Sequence, residues 1–433
     1  MNDAVIILYP DAVTKPGEKP LQTIASLPLS TFATYHVLPF FPCTSDRGFA
    51  VSDYYAVDPA FGDWSDLPKP LMIDCIFNHT SSQHPWLNTN KDYYVHYAQE
   101  PKTTLFRPRT SPLFTRFSGE YYWSTFSSDQ IDLNFRNPKV QQEFDNIITF
   151  YQEQGATHFR LDAIAYLFKD VNAISIPETH AYIQHIQKKF PDITFIAEVN
   201  LSQEEIDAYR SYVHAYNFSL PPLTYYAFLT GDAQALTEHL NKDSHNYFNF
   251  LASHDGIGLT AAKKQIPIEV LQDDVRKKGW HASDYELNIN YFDALDNSIE
   301  AFVSAHAILL FIQGIPAVYI HSYFGSRGTS HETPREVNRA PLSYDDLMYA
   351  LSQDGERKKI FEAITRLITL RKEYLGDEKQ QATFTNGILH IQRGTHHLYI
   401  NLSTKIYDMH HYDLITQKKR TQLYPKECAW VQE

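Results

Sequence analysis

The sequence predicts an α/β fold: a closed (β/α)8 barrel with a small inserted domain after its third strand and a small antiparallel β domain at the C-terminal end. Three observations predict it. Short apolar runs end on charged residues at Arg160-Leu161-Asp162, Ala197-Glu198 and His254-Asp255, and helical patterns separate them. A parallel barrel gathers the C-terminal ends of its strands round one mouth, so carboxylates at the ends of separate β/α units converge there. Between Thr80 and Phe126 the periodicity fades over a stretch too long for a plain connection, which marks an inserted domain or lid. Beyond residue 378 apolar and polar residues alternate, as in antiparallel strands. The expected division is 1–79 and 127–378 for the barrel, with a small insertion at about 259–290, 80–126 for the inserted domain and 379–433 for the β domain.

Taken in order, Val5 to Leu8 reads as the first strand and Tyr35 to Phe41 as the second, with Pro39 where the chain leaves the sheet. Ser45-Asp46-Arg47-Gly48-Phe49 is a turn on the loop that follows. Leu71 to Phe77 is the third strand, ending in Asn78-His79. Only a few residues, Pro68 and Pro70 among them, separate it from the turn Gly62-Asp63-Trp64, so a helix expected there is missing or reduced. That flank is expected to leave apolar surface that a partner subunit could cover. A helix from about Val140 to Gln154 stops at Gly155 and feeds the fourth strand, His158 to Ala163. In that strand Arg160 and Asp162 point to one face, because strand side chains repeat with period two.

The fifth strand runs from Thr194 to Glu198, and a helix beginning near Ser202 has Glu204 and Glu205 in its first turn, as a helix N-terminus prefers. Ala215 to Leu220 reads as the sixth strand, and the run through Asn249 to Asp255 as the seventh. An insertion extends to Tyr291, a helix rich in Ala, Ile and Leu reaches Phe311, and Gly314 to His321 is the eighth strand. An amphipathic helix spans about Lys359 to Tyr374, followed by strands at Ile388 to Ile391 and His397 to Leu402. The pairs His396-His397 and His410-His411 point oppositely along their strands and have no accompanying Cys or acidic cluster, so no metal is expected.

At 433 residues the chain can bury one large core. A net charge of −13 without a basic tract argues against a nucleic-acid partner. The apolar run at the N-terminus lacks a basic flank and is too short for a signal sequence or membrane span. Cys43, Cys75 and Cys428 have neither metal spacing nor an even count, so free thiols and a cytoplasmic location are expected. Aromatic residues make up 14% of the chain, which suits stacking on sugar rings, although a core rich in aromatics accounts for most of them equally well.

On its own, Arg160 beside Asp162 reads as an ordinary ion pair at a strand end; Glu198 and Asp255 change that reading. Retaining glycoside chemistry needs a nucleophilic carboxylate and an acid/base carboxyl about 5 Å apart. With Asp74-Asn78-His79, Arg160-Leu161-Asp162-Ala163, Glu198-Val199 and His254-Asp255 in that order and at those strands, the chain resembles the α-amylase superfamily of TIM-barrel enzymes. The likeness extends over almost the whole chain. The stretches Phe106-Arg107-Pro108-Arg109, Pro112-Leu113-Phe114-Thr115, Trp123 to Phe126 and Gln130 to Leu133 resemble its sucrose phosphorylase-like branch.

The resemblance implies Asp162 as nucleophile, Glu198 as acid/base and Asp255 as the third catalytic carboxylate. It implies Asp46, Phe49, His79, Gln130, Arg160, His254 and Arg339 as sugar contacts, with Asp132 structural. Arg109 and Tyr166 match the phosphate-holding positions of the branch. The expected reactants are a small α-glucoside and inorganic phosphate, with no cofactor, in a monomer or homodimer. The alternatives are an α-glucoside hydrolase or transglycosylase and, in another class, a catalytically idle sugar-binding barrel. The run Tyr323 to Thr333 after the eighth strand is shorter and differently composed than in the branch, so the acceptor side of the pocket is expected to differ more than the glucosyl side.

Overall fold

The computed structural model describes residues 3–105, 111–242, 245–329 and 333–433. Eight parallel strands close into a barrel: β1 (Val5–Leu8), β2 (Thr34–Val37), β3 (Leu71–Cys75), β4 (Ala156–Leu161), β5 (Thr194–Ala197), β6 (His214–Tyr216), β7 (Tyr247–Asn249) and β8 (Ile315–Tyr319). The pairing Val5 to Ala317 closes β1 on β8, and the pairing Arg160 to Asp74 sets β4 beside β3. These strands are buried almost throughout, as expected of a parallel sheet covered on both faces. Helix Pro138–Glu153 ends where Gly155 turns at φ +90°, a conformation glycine adopts without steric cost, and β4 begins immediately after.

Several strands end earlier than their apolar runs suggested. The second stops at Val37, since Pro39 cannot donate to the ladder. The sixth stops at Tyr216, because Leu220-Pro221-Pro222 opens the helix Leu220–Thr230, whose first turn tolerates proline. The seventh stops at Asn249, which leaves His254 and Asp255 on the loop beyond it.

Between β2 and β3 the described chain forms only two short helical turns, Asp46–Gly48 and Trp64–Asp66, and no helix longer than these. The expected bare apolar flank is not found there. The Trp64 ring packs edge-on against Phe40 and Phe150, at 5.3 and 5.2 Å between centroids, and its Nε1 donates to the Tyr55 carbonyl at 3.0 Å. One large aromatic side chain thus does the work of the absent helix, and of nearby residues Tyr55 stays exposed.

The segment after β3 forms a three-stranded antiparallel sheet from His96–Tyr97, Phe114–Phe117 and Glu120–Trp123. His79–Ser81 and Gln130–Asp132 pair antiparallel at its base. After Asp255, Ile257–Gly258, His281–Ala282 and Glu286–Asn288 form a small sheet with helix Ile268–Lys277 beside it. The C-terminal residues form a four-stranded antiparallel sheet of Gln380–Thr385, Ile388–Arg393, His396–Asn401 and Cys428–Gln432, plus the hairpin Tyr407–Asp413 with Lys418–Leu423. Among the described residues no helix is long and apolar enough to cross a membrane.

Candidate active site

Round the C-terminal mouth of the barrel lies a cavity of about 230 Å³. Asp46, Phe49, His79, Gln130, Arg160, Asp162, Tyr166, Glu198, His254, Asp255 and Arg339 all line it. Of the residues expected at the site, Arg109 alone lies outside the described residues.

Arg160 is the electrostatic centre. Its Nη1 donates to Asp162 Oδ1 at 2.7 Å and to Asp74 Oδ1, while Nη2 stands 4.0 Å from Glu198 Oε1. Asp74 also accepts from His36 Nε2 at 2.8 Å. Burial would raise the Asp74 carboxyl, but Arg160 and then His36 outweigh it and hold it at about 2. Asp74 therefore anchors the arginine as a permanent anion. Asp162 lies one residue past β4, and Ala163 turns left-handed at φ +47°, so that its N–H donates to Glu198 Oε2 at 2.8 Å. A left-handed non-glycine residue costs about 1–3 kcal/mol and persists where its surroundings over-determine it.

Both carboxyls are raised above their ordinary values. Burial raises both; at Asp162 the opposing field of Arg160 falls short against Glu198 and Asp74, and the group is pushed up to about 8. Proximity to a guanidinium alone suggests an Asp162 ionised independently of its neighbours, whereas the buried pair retains a proton near neutrality.

Asp255 takes the opposite course. Burial is outweighed by His254, Arg335 and Arg339, which hold it far below the usual carboxylate range. Arg339 Nη2 donates to Asp255 Oδ1 at 3.1 Å and Nε to the His254 carbonyl at 2.9 Å. Asn338 Nδ2 donates to the Asp255 carbonyl at 3.2 Å. The His254 ring stacks on Phe49 at 5.3 Å, and burial lowers its pKa to about 3, so it is neutral.

On the other wall, burial holds His79 down to about 4, and its Nε2 lies 3.1 Å from the Phe49 carbonyl. Gln130 Nε2 donates to Asp46 Oδ2 at 3.1 Å. Asp46 and Arg47 turn left-handed at φ +54° and +48°, and a side chain on Gly48 would collide with Pro39 at 2.5 Å. Asp132 is fully buried and bonded to Lys169, Asn78 and Thr125, a structural anchor beneath His79.

Sequence reasoning assigned no role to four further lining residues, Lys263, Tyr285, Glu286 and Arg335. Glu286 is buried, accepts from the Gly256 N–H at 3.2 Å and from Asn288 Nδ2 at 3.0 Å, and stands 3.9 Å from Arg335 Nε. They come from the insertion after Asp255 and from the turn Pro334–Asn338, where only Arg335's position four residues before Arg339 hinted at a shared face. Among the described residues, no group of three or more His, Cys, Asp or Glu is disposed to hold a metal ion.

The family model for the alpha amylase catalytic domain matches residues 28–360. A glucosylglycerate phosphorylase of Spirochaeta thermophila is 35% identical over 86% of this chain and 74% of its own length. A sucrose phosphorylase of Agrobacterium vitis is 27% identical over 75% of this chain and 78% of its own. The fold matches the crystal structure of sucrose 6F-phosphate phosphorylase from Thermoanaerobacter thermosaccharolyticum with a TM-score of 0.85, over 98% of both chains at 22% identity. With the family model spanning most of the barrel and a phosphorylase this similar over most of both chains, the protein belongs to the alpha-amylase family, among its glycoside phosphorylases.

Proposed function

We propose that the protein moves a glucosyl group from a small α-glucoside to inorganic phosphate, releasing α-glucose 1-phosphate with retained configuration. The observation that carries this reading is the convergence of Asp162, Glu198 and Asp255 with Arg160 in one cavity. The 2.7 Å bond from Arg160 to Asp162, against 4.0 Å to Glu198, favours charge on Asp162 and the shared proton on Glu198. Asp162 attacks the anomeric carbon while Glu198 protonates the leaving oxygen, and a glucosyl-enzyme forms. Phosphate then attacks from the same face, with Glu198 as base. Asp255, held ionised by its arginines, takes sugar hydroxyls together with Arg339, Asp46, His79 and Gln130. Tyr166 lies on the cavity wall and, with Arg109, is our proposed seat for phosphate.

The leaving group is, in our reading, glycerate. Lys263 makes no ion pair among the described residues, and Arg335 faces Glu286 at 3.9 Å, beyond hydrogen-bond distance, so both cations can also receive a carboxylate at the acceptor side. The Spirochaeta thermophila relative is named for glucosylglycerate. Initial rates with phosphate and glucosylglycerate, glucosylglycerol or sucrose test this. A kcat/KM for glucosylglycerate roughly tenfold or more above glucosylglycerol is expected, because the latter offers these cations no carboxylate. Lys263→Met and Arg335→Gln should each shrink that ratio, and equal use of the two glucosides would refute the assignment.

A further inference from the structure

A second cavity, of about 310 Å³, shares no lining residue with the catalytic one. The helix Glu356–Tyr374 starts on its wall, after Gly355, with no side chain capping the N-terminus. The first turn of a helix of this length offers free N–H groups and the positive end of the dipole to an anion. Arg327 and Arg357 line the same wall. The wall's one carboxylate, Glu356, is taken by Arg327 Nη2 at 2.8 and 3.1 Å. Arg357 donates to the Phe324 carbonyl at 3.3 Å and has no ion pair of its own among the described residues. Burial, only partly opposed by Glu356, pulls its pKa below the usual arginine range, the sign of a cation without a counterion.

One buried polar group on the cavity wall also lacks a partner. The Ser326 hydroxyl is fully buried and unbonded. His321, 5% exposed, lines the same wall with its ring 5.2 Å from that of Tyr319. A buried hydroxyl without a partner, beside an uncapped helix end and an arginine without an ion pair among the described residues, makes this wall suited to an anion. Val337, Ala340, Pro341 and Leu342 form an apolar part of the wall, and Asn290 and Thr329 also line it.

We propose that this cavity is a second, non-catalytic site for a small phosphomonoester, whose phosphate meets Arg357 and the helix N-terminus and whose carbon portion lies against Val337, Pro341 and Leu342. Its volume exceeds what a bare oxyanion fills. Val337 lies on the turn Pro334–Asn338, whose Arg335 and following Arg339 line the catalytic cavity, so one turn borders both cavities.

Calorimetric titration of the full-length protein with glycerol 3-phosphate, and separately with inorganic phosphate, tests the proposal. For glycerol 3-phosphate we expect a site that weakens at least tenfold in Arg357→Gln, while kcat under saturating substrates stays within twofold. Ser326→Ala, the smallest change on this wall, should weaken it less but in the same direction, and serves if Arg357→Gln does not fold. Unchanged glycerol 3-phosphate binding in the folded variants overturns the proposal. A loss confined to inorganic phosphate overturns the phosphomonoester assignment and leaves a bare phosphate site.

Discussion

The proposed chemistry turns on which of two buried carboxyls carries the proton, and Arg160 bears on that choice. Its 2.7 Å bond to Asp162, against 4.0 Å to Glu198, is our reason for proposing Asp162 as the anion and Glu198 as the acid, although burial raises both. Asp162→Asn should cost on the order of 10⁴-fold in turnover with the fold retained. Glu198→Gln should cost a similar factor on a natural glucoside but recover much of the first step with α-glucosyl fluoride, whose leaving group needs no proton. Equal loss on both substrates would contradict the division of roles. The proposed active state holds one proton between the pair, so kcat should fall on the alkaline side as that proton leaves, at a pH above the ordinary carboxylate range because burial raises both groups, and on the acid side as a second arrives. Asp74 makes a separate contribution. Its carboxyl is depressed to about 2, so its stabilisation is complete above the unfolded value near 4 and is lost as pH falls through about 2. Asp74→Asn should flatten that part of the stability profile in acid denaturation.

At the level of elements, the barrel brings together residues that no local pattern relates. Register sets Asp74 opposite Arg160, while the loop after β7 and the turn Pro334–Asn338 bring Asp255 to Arg339. The strand-terminal charges were legible because each closes a short apolar run, and so were the helix stop at Gly155 and the reduced connection between β2 and β3. Strand ends were less legible, since apolar runs continue past the last ladder bond into the loops of the mouth, as Leu38, Phe40 and Phe41 do. Nor did sequence show that Trp64 would fill the flank, because its partners Phe40 and Phe150 lie far from one another along the chain. Trp64→Ala should destabilise the protein by about 3 kcal/mol, through lost burial and a cavity between Phe40 and Phe150. A denaturant midpoint unchanged by that substitution would show that the flank is supported in some other way.

Over the whole molecule, the C-terminal sheet is fastened to the barrel both at the end of helix Gln234–Leu240, where Asn241 and Ala382 exchange hydrogen bonds, and at the end of a second helix. Helix Ile299–Phe311 leaves its last carbonyls without partners, as every helix does. Arg371, from helix Glu356–Tyr374, donates to the carbonyls of Leu310, Ile312 and Gly314, and Arg393, from the C-terminal sheet, to those of Phe311 and Gly376. Trp430 packs edge-on against Phe311 at 4.9 Å. Arg393→Met should therefore cost about 2–4 kcal/mol in chemical denaturation by stripping partners from buried carbonyls, with little effect on KM. The acceptor half of the cavity was the least legible part, for it is assembled from an insertion and a loop whose residues meet only in three dimensions. The most direct test of the account follows the product anomer by NMR when the protein meets glucosylglycerate with and without phosphate. The account predicts α-glucose 1-phosphate as the first-formed product, with turnover falling steeply when phosphate is withheld; a β anomer, or glucose released at the same rate without phosphate, would contradict it.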